Sequence, residues 1–127
     1  MKQIRRVAAG MLAAAAVLAP AAARADTPYA QASATVDEHG SVKHGKHVTD
    51  VWHPYQGIYC VGLDETVDLE GPVAIQVTPI GHYDAPRSLS VDIGAPTCGQ
   101  DRFHTIAVYS QLYNGRRAEV AFLLSVS

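Results

Sequence analysis

From residue 32 onward, apolar side chains recur at every second position and never settle into a helical repeat. Ala32, Ala34 and Val36 alternate with Ser33, Thr35 and Asp37, and Val73, Ile75 and Val77 alternate with Ala74, Gln76 and Thr78. Leu89, Val91 and Ile93 alternate with Ser90 and Asp92, while Ala118, Val120, Phe122, Leu124 and Val126 share one face. Successive side chains of a strand point to opposite faces, so a period of two marks half-buried β-strands. Ile58-Tyr59-Cys60-Val61-Gly62-Leu63 is instead a continuous apolar run, suited to a central strand. Aromatic residues are only 7% of the chain, so the core must rest on aliphatic and alanine side chains.

Turn chemistry divides these runs. Glu38-His39-Gly40 turns the first strand into a hairpin whose return begins at Val42, and Gly45 interrupts it before a short strand over 47–52. Pro54 and Gly57 bracket the next turn. Residues 64–71 carry Asp64, Glu65, Asp68 and Glu70 and read as an exposed loop or short helical turn, and 79–87, with two prolines and a glycine, as a second loop. A loop at 95–99 precedes a strand over 103–109, and Asn114-Gly115 is a hairpin signal ahead of a closing strand over 116–127. Seven or eight short strands at this spacing predict an all-β, single-domain antiparallel sandwich or barrel.

The amino terminus follows other rules. Lys2, Arg5 and Arg6 precede an uncharged, alanine-rich run over 7–18, and Ala23-Arg24-Ala25 offers small residues to an export peptidase. Residues 1–25 therefore read as a cleaved signal peptide, too short in its apolar part to span a bilayer. The expected mature domain is 26–127, with no membrane span, in a secreted or periplasmic location. Four of the ten basic residues lie in the leader (Lys2, Arg5, Arg6, Arg24) and all twelve acidic residues follow it, so the mature formal charge is −6. An acidic domain repels phosphate backbones, which argues against nucleic acid and anionic membranes as partners.

Export also gives the two cysteines a role. In an oxidising compartment Cys60 and Cys98 are expected to form a disulfide, the one intramolecular connection available. It would close a loop of roughly 40 residues, for which chain entropy gives about 4 kcal/mol. Without C-x-x-C spacing, a reactive thiol or a metal ligand is the lesser reading. The Gly57-Ile58-Tyr59-Cys60-Val61 strand, the earlier Gly40-Ser41-Val42 hairpin end, Cys98 and the closing Phe122-Leu123-Leu124-Ser125-Val126 resemble small secreted bacterial proteins of unknown function that carry a G-x-Y-C strand between two hairpins. The resemblance implies export and a β fold; it carries over no site.

Among candidate chemistries, His39, His44, His47 and His53 crowd one stretch and could suit zinc or copper. They lack H-x-H or H-E-x-x-H spacing, and residues three apart on a strand face opposite ways. No G-x-S-x-G elbow is present, the cysteines are committed to each other, and Glu65 and Glu70 read as solvated charge, so no catalytic residue and no cofactor is expected. Trp52, His53 and Tyr55 cluster around a proline-stiffened turn and form the candidate contact patch. The sequence thus predicts a non-catalytic binding or structural module at the cell envelope, its partner a glycan or an envelope protein. The alternative is a small extracytoplasmic zinc- or copper-binding protein using the histidines.

Overall fold

The computed structural model describes residues 30–127; the leader assigned to 1–25 lies outside the described residues. Eight strands follow in order: β1 (Ala32–Val36), β2 (Val42–Lys46), β3 (Val48–Tyr55), β4 (Ile58–Leu63), β5 (Ile75–Ile80), β6 (Ser88–Ile93), β7 (Thr105–Gln111) and β8 (Ala121–Val126). They form two four-stranded sheets, β2-β1-β8-β5 and β3-β4-β7-β6, with every pairing antiparallel. Of the two architectures the sequence left open, the protein is a sandwich.

The core lies between the sheets and follows the alternation. Ala32, Ala34 and Val36 of β1 and Phe122, Leu124 and Val126 of β8 face Tyr59, Val61 and Leu63 of β4 and Ile106 and Val108 of β7. Tyr59 and Phe122 meet edge to face, with centroids 5.3 Å apart, and are the largest fully buried side chains. Each sheet places its two most apolar strands in the middle. The edges carry features that resist further pairing: Pro79 in β5, which pairs only with β8, and two register breaks in β3.

The 64–71 segment is less exposed than its charges suggest. Val67 and Leu69 are buried in the core while Glu65, Asp68 and Glu70 face solvent, because the segment carries the chain from one sheet to the other across the end of the sandwich. Strand β5 runs on through Pro79 and Ile80, which reading 79–87 as a loop misses. The return strand β2 continues through Gly45; the break comes at His47, whose φ of 56° turns the chain out of the first sheet and into the second. Asn114-Gly115 also makes no extended hairpin. Its turn is followed by a single bridge, Gln111 to Arg117, after which the chain leaves the β7 sheet and enters the other at Ala121.

The disulfide covers the outside of the second sheet. Cys60 and Cys98 are bonded, with Cα atoms 5.5 Å apart, and the link fastens the 3-10 turn Pro96–Cys98 over the middle of β4 and β7. Cys60, Cys98, Ala95 and Ala107 make a small buried cluster there, which is why both faces of β4 are apolar. Replacing both cysteines by serine is expected to lower stability by about 2–5 kcal/mol, read from urea unfolding curves. Alkylation of unreduced protein should add no mass.

Candidate functional site

Two groups of residues stand out, an outer aromatic face and a polar knot at one end of the sandwich. The face follows from register. Direct cross-strand partners share a face of a sheet, so Trp52, Cys60, Ala107 and Asp92 form one row, and Tyr55, Ile58, Tyr109 and Ser90 the next. Both rows lie on the side away from the core, where the disulfide cluster also sits. Trp52 is 36% and Tyr55 64% exposed, and Ile58 beneath them is buried. Tyr109 is half-buried, with the Arg117 guanidinium 4.9 Å from its ring centroid. The Gln56-Gly57 turn holds β3 against β4. Gly57 has a φ of 72°, and a Cβ there would come within 2.7 Å of the Ser110 carbonyl oxygen, so only glycine fits.

His53 does not join Trp52 and Tyr55. The register break between those two residues turns it toward the inside, where its ring stacks on Tyr59 at 4.3 Å and 4° between planes. There it meets the knot. The Tyr59 hydroxyl donates to the Glu38 carbonyl at 2.6 Å and accepts from the Val120 N–H at 3.1 Å. The Glu119 carboxylate lies 3.1 Å from His53 Nε2 and accepts the Gly57 N–H at 2.8 Å. The Tyr83 hydroxyl accepts the Ala121 N–H at 2.8 Å, and Arg87 Nε donates to the Glu119 carbonyl at 2.9 Å. Arg87 also lies 4.3 Å from the Tyr83 ring centroid and donates to the Ala85 carbonyl. These side chains were not legible as a group, because several of their partners are backbone atoms of distant loops.

The remaining histidines are dispersed. His39 sits in the β1–β2 turn beside Glu38, and His44 is exposed on β2 opposite Thr35. His47 Nδ1 lies 2.7 Å from Asp64 and 3.2 Å from the Thr66 hydroxyl. The Thr66 hydroxyl and the His47 ring hold the Asp64 carboxyl below its ordinary value. Among the described residues, no three His, Cys, Asp or Glu side chains gather into a group that could hold a metal ion.

Beside the knot, the β3–β4 turn, the loop after β5 and the segment before β8 border an open cleft of about 800 Å³. Gln56, Tyr83, Arg87, Arg116, Arg117 and Glu119 are among its walls. No helix among the described residues is long and apolar enough to cross a membrane. Comparison of the chain with protein-family models, curated proteins and solved structures gives no match.

Burial pushes the Tyr59 hydroxyl up to about 12 from its ordinary 10.0; the Val120 N–H pulls the other way, and the nearby Glu119 charge adds to the rise. A raised folded-state value means that the protonated hydroxyl stabilises the fold. The contribution is complete below pH 10 and is lost as pH rises through about 12. In an ultraviolet titration one tyrosine should ionise last and together with unfolding. Tyr59→Phe should remove that alkaline step and lower stability at neutral pH by about 1–3 kcal/mol, by leaving the Val120 N–H unpaired.

Proposed function

We propose that this chain is an extracytoplasmic, non-catalytic binding module that contacts a glycan with the outer face of the β3-β4-β7-β6 sheet. One observation carries the reading: Trp52 and Tyr55 stand exposed in adjacent cross-strand rows on a face that the opposite sheet does not cover. Rings held on paired strands lose little freedom when a sugar stacks on them, so their contact area is turned into affinity efficiently. Register and burial beneath them, at Ile58 and Cys60, keep the platform in place. The buried Cys60–Cys98 bond fits an oxidising compartment outside the cytoplasm, and the leader-like 1–25 segment supports export to the periplasm or the medium.

The polar groups support a non-catalytic role. The Glu119 carboxylate is held by the Gly57 N–H and faces His53, which stacks on Tyr59, so both serve as braces for the crossing chain. The test is binding of purified protein to an array of defined oligosaccharides, followed by titration of the best ligand. Tyr55→Ala and Trp52→Ala should each weaken that ligand by about tenfold, since truncating an anchor residue of a contact costs more than about 1 kcal/mol. Tyr55→Ala should leave the unfolding midpoint nearly unchanged, since its ring is mostly in water, and Trp52→Ala should cost less than the ~3–5 kcal/mol of a core aromatic. Retention of full binding by both variants, or no oligosaccharide bound at all, would overturn the assignment.

A further inference from the structure

The cleft beside the aromatic face has a charge opposite to that of the domain. The described residues carry six basic and eleven acidic side chains, yet three of the six, Arg87, Arg116 and Arg117, line this one cleft. Among the described residues, none of the three pairs with a carboxylate. Arg87 bonds two backbone carbonyls and lies against Tyr83, Arg117 lies against the Tyr109 ring, and the Arg116 side chain makes no hydrogen bond or ion pair with another described residue. The acidic neighbours offset them only in part. Glu119 and Asp84 share the wall, but among the described residues neither forms an ion pair with an arginine, and three arginines against two carboxylates leave the lining positive. Arginines gathered in a concave surface focus positive potential and match the planar geometry of oxyanions.

The cleft is also continuous with the aromatic face. Arg117 borders the cleft while its guanidinium lies over Tyr109, in the row that contains Tyr55, and Gln56 of the cleft wall follows Tyr55 directly. We propose that the ligand is an acidic saccharide: a sugar ring stacks on the Tyr55 side of the face, and its carboxylate or sulfate group enters the cleft and bonds Arg116 and Arg117. Arg87, fixed by the Glu119 and Ala85 carbonyls, supplies positive potential from the cleft wall. The assignment rests on the glycan reading above and adds the ligand's charge. It also sets local charge against the net negative charge, which would by itself favour neutral or basic partners.

The experiment is calorimetric titration of the purified protein with a heparin-derived tetrasaccharide, which carries both carboxylate and sulfate groups, with uncharged cellotetraose and with inorganic phosphate. The acidic tetrasaccharide should bind about tenfold or more tightly than cellotetraose, and the difference should shrink at high salt. Arg116→Ala/Arg117→Ala should abolish that preference without moving the unfolding midpoint, and Arg116→Lys/Arg117→Lys should keep part of it. Equal binding of the two tetrasaccharides, or an acidic preference unaffected by the double alanine variant, would overturn the proposal. So would phosphate binding as tightly as the acidic tetrasaccharide, which would mark a site for simple anions. Equal binding of the two tetrasaccharides that is lost in Tyr55→Ala would leave the glycan face standing and remove only the acidic specificity. Loss of every saccharide in wild-type protein would remove both.

Discussion

The sandwich depends on how one short segment passes from sheet to sheet. Between β7 and β8 the chain leaves one hydrogen-bonded ladder before it joins the next, and a backbone that does so must find other partners or carry the penalty of unpaired polar groups. Here it finds one in a backbone carbonyl of β7 and the rest in side chains from elsewhere. The Ala118 N–H reaches the Ser110 carbonyl, Val120 N–H the Tyr59 hydroxyl, and Ala121 N–H the Tyr83 hydroxyl, while the Glu119 carbonyl takes Arg87. Tyr59 is doubly committed, because its hydroxyl also holds the β1–β2 turn through Glu38. One buried phenol thus ties a central strand of one sheet to the turn and the crossing of the other.

The same crossing creates the features available for binding. The Glu119 carbonyl fixes Arg87 in the cleft wall, and the Gly57 N–H bonded to the Glu119 carboxylate fixes the end of the β3–β4 hairpin that carries Tyr55. Rigidity at the site is a by-product of satisfying the backbone. This also accounts for the division of labour among neighbours in sequence: Trp52 and Tyr55 face outward, whereas His53, between them, is drawn inward to Tyr59 by the irregular register of an edge strand.

What was legible in the sequence was what depends on periodicity and on covalent pairing. The alternation at 32–36, 89–93 and 118–126 marked the core faces correctly, and two cysteines admitted one bond. The reversals at Glu38-His39-Gly40 and Pro54–Gly57 were also legible, but a later one was misread. Asn114-Gly115 supplies the local conformation of a hairpin, but Ala118, Val120 and Phe122 are needed in the core facing the sheet just left, and burial overrides the turn. Val67 and Leu69 were hidden among acidic neighbours, because alternation within an irregular crossing resembles loop composition. The candidate patch was half legible, with Trp52 and Tyr55 placed together and His53 apart. The arginine cleft was not, since Arg87 lies some thirty residues from Arg116 and Arg117 and no local pattern links them.

The pairing of β1 with β8 has a consequence for the order of events in the life of the chain. Ala32 lies opposite Val126 and Val36 opposite Phe122, so the strand near the start of the domain completes its sheet only with residues far along the chain. The centre of that sheet is missing until residue 126 is in place. Sandwiches dominated by such distant pairings also fold slowly. The β2-β1-β8-β5 sheet therefore closes only when segments at opposite ends of the described domain meet, which makes its two termini neighbours in the fold.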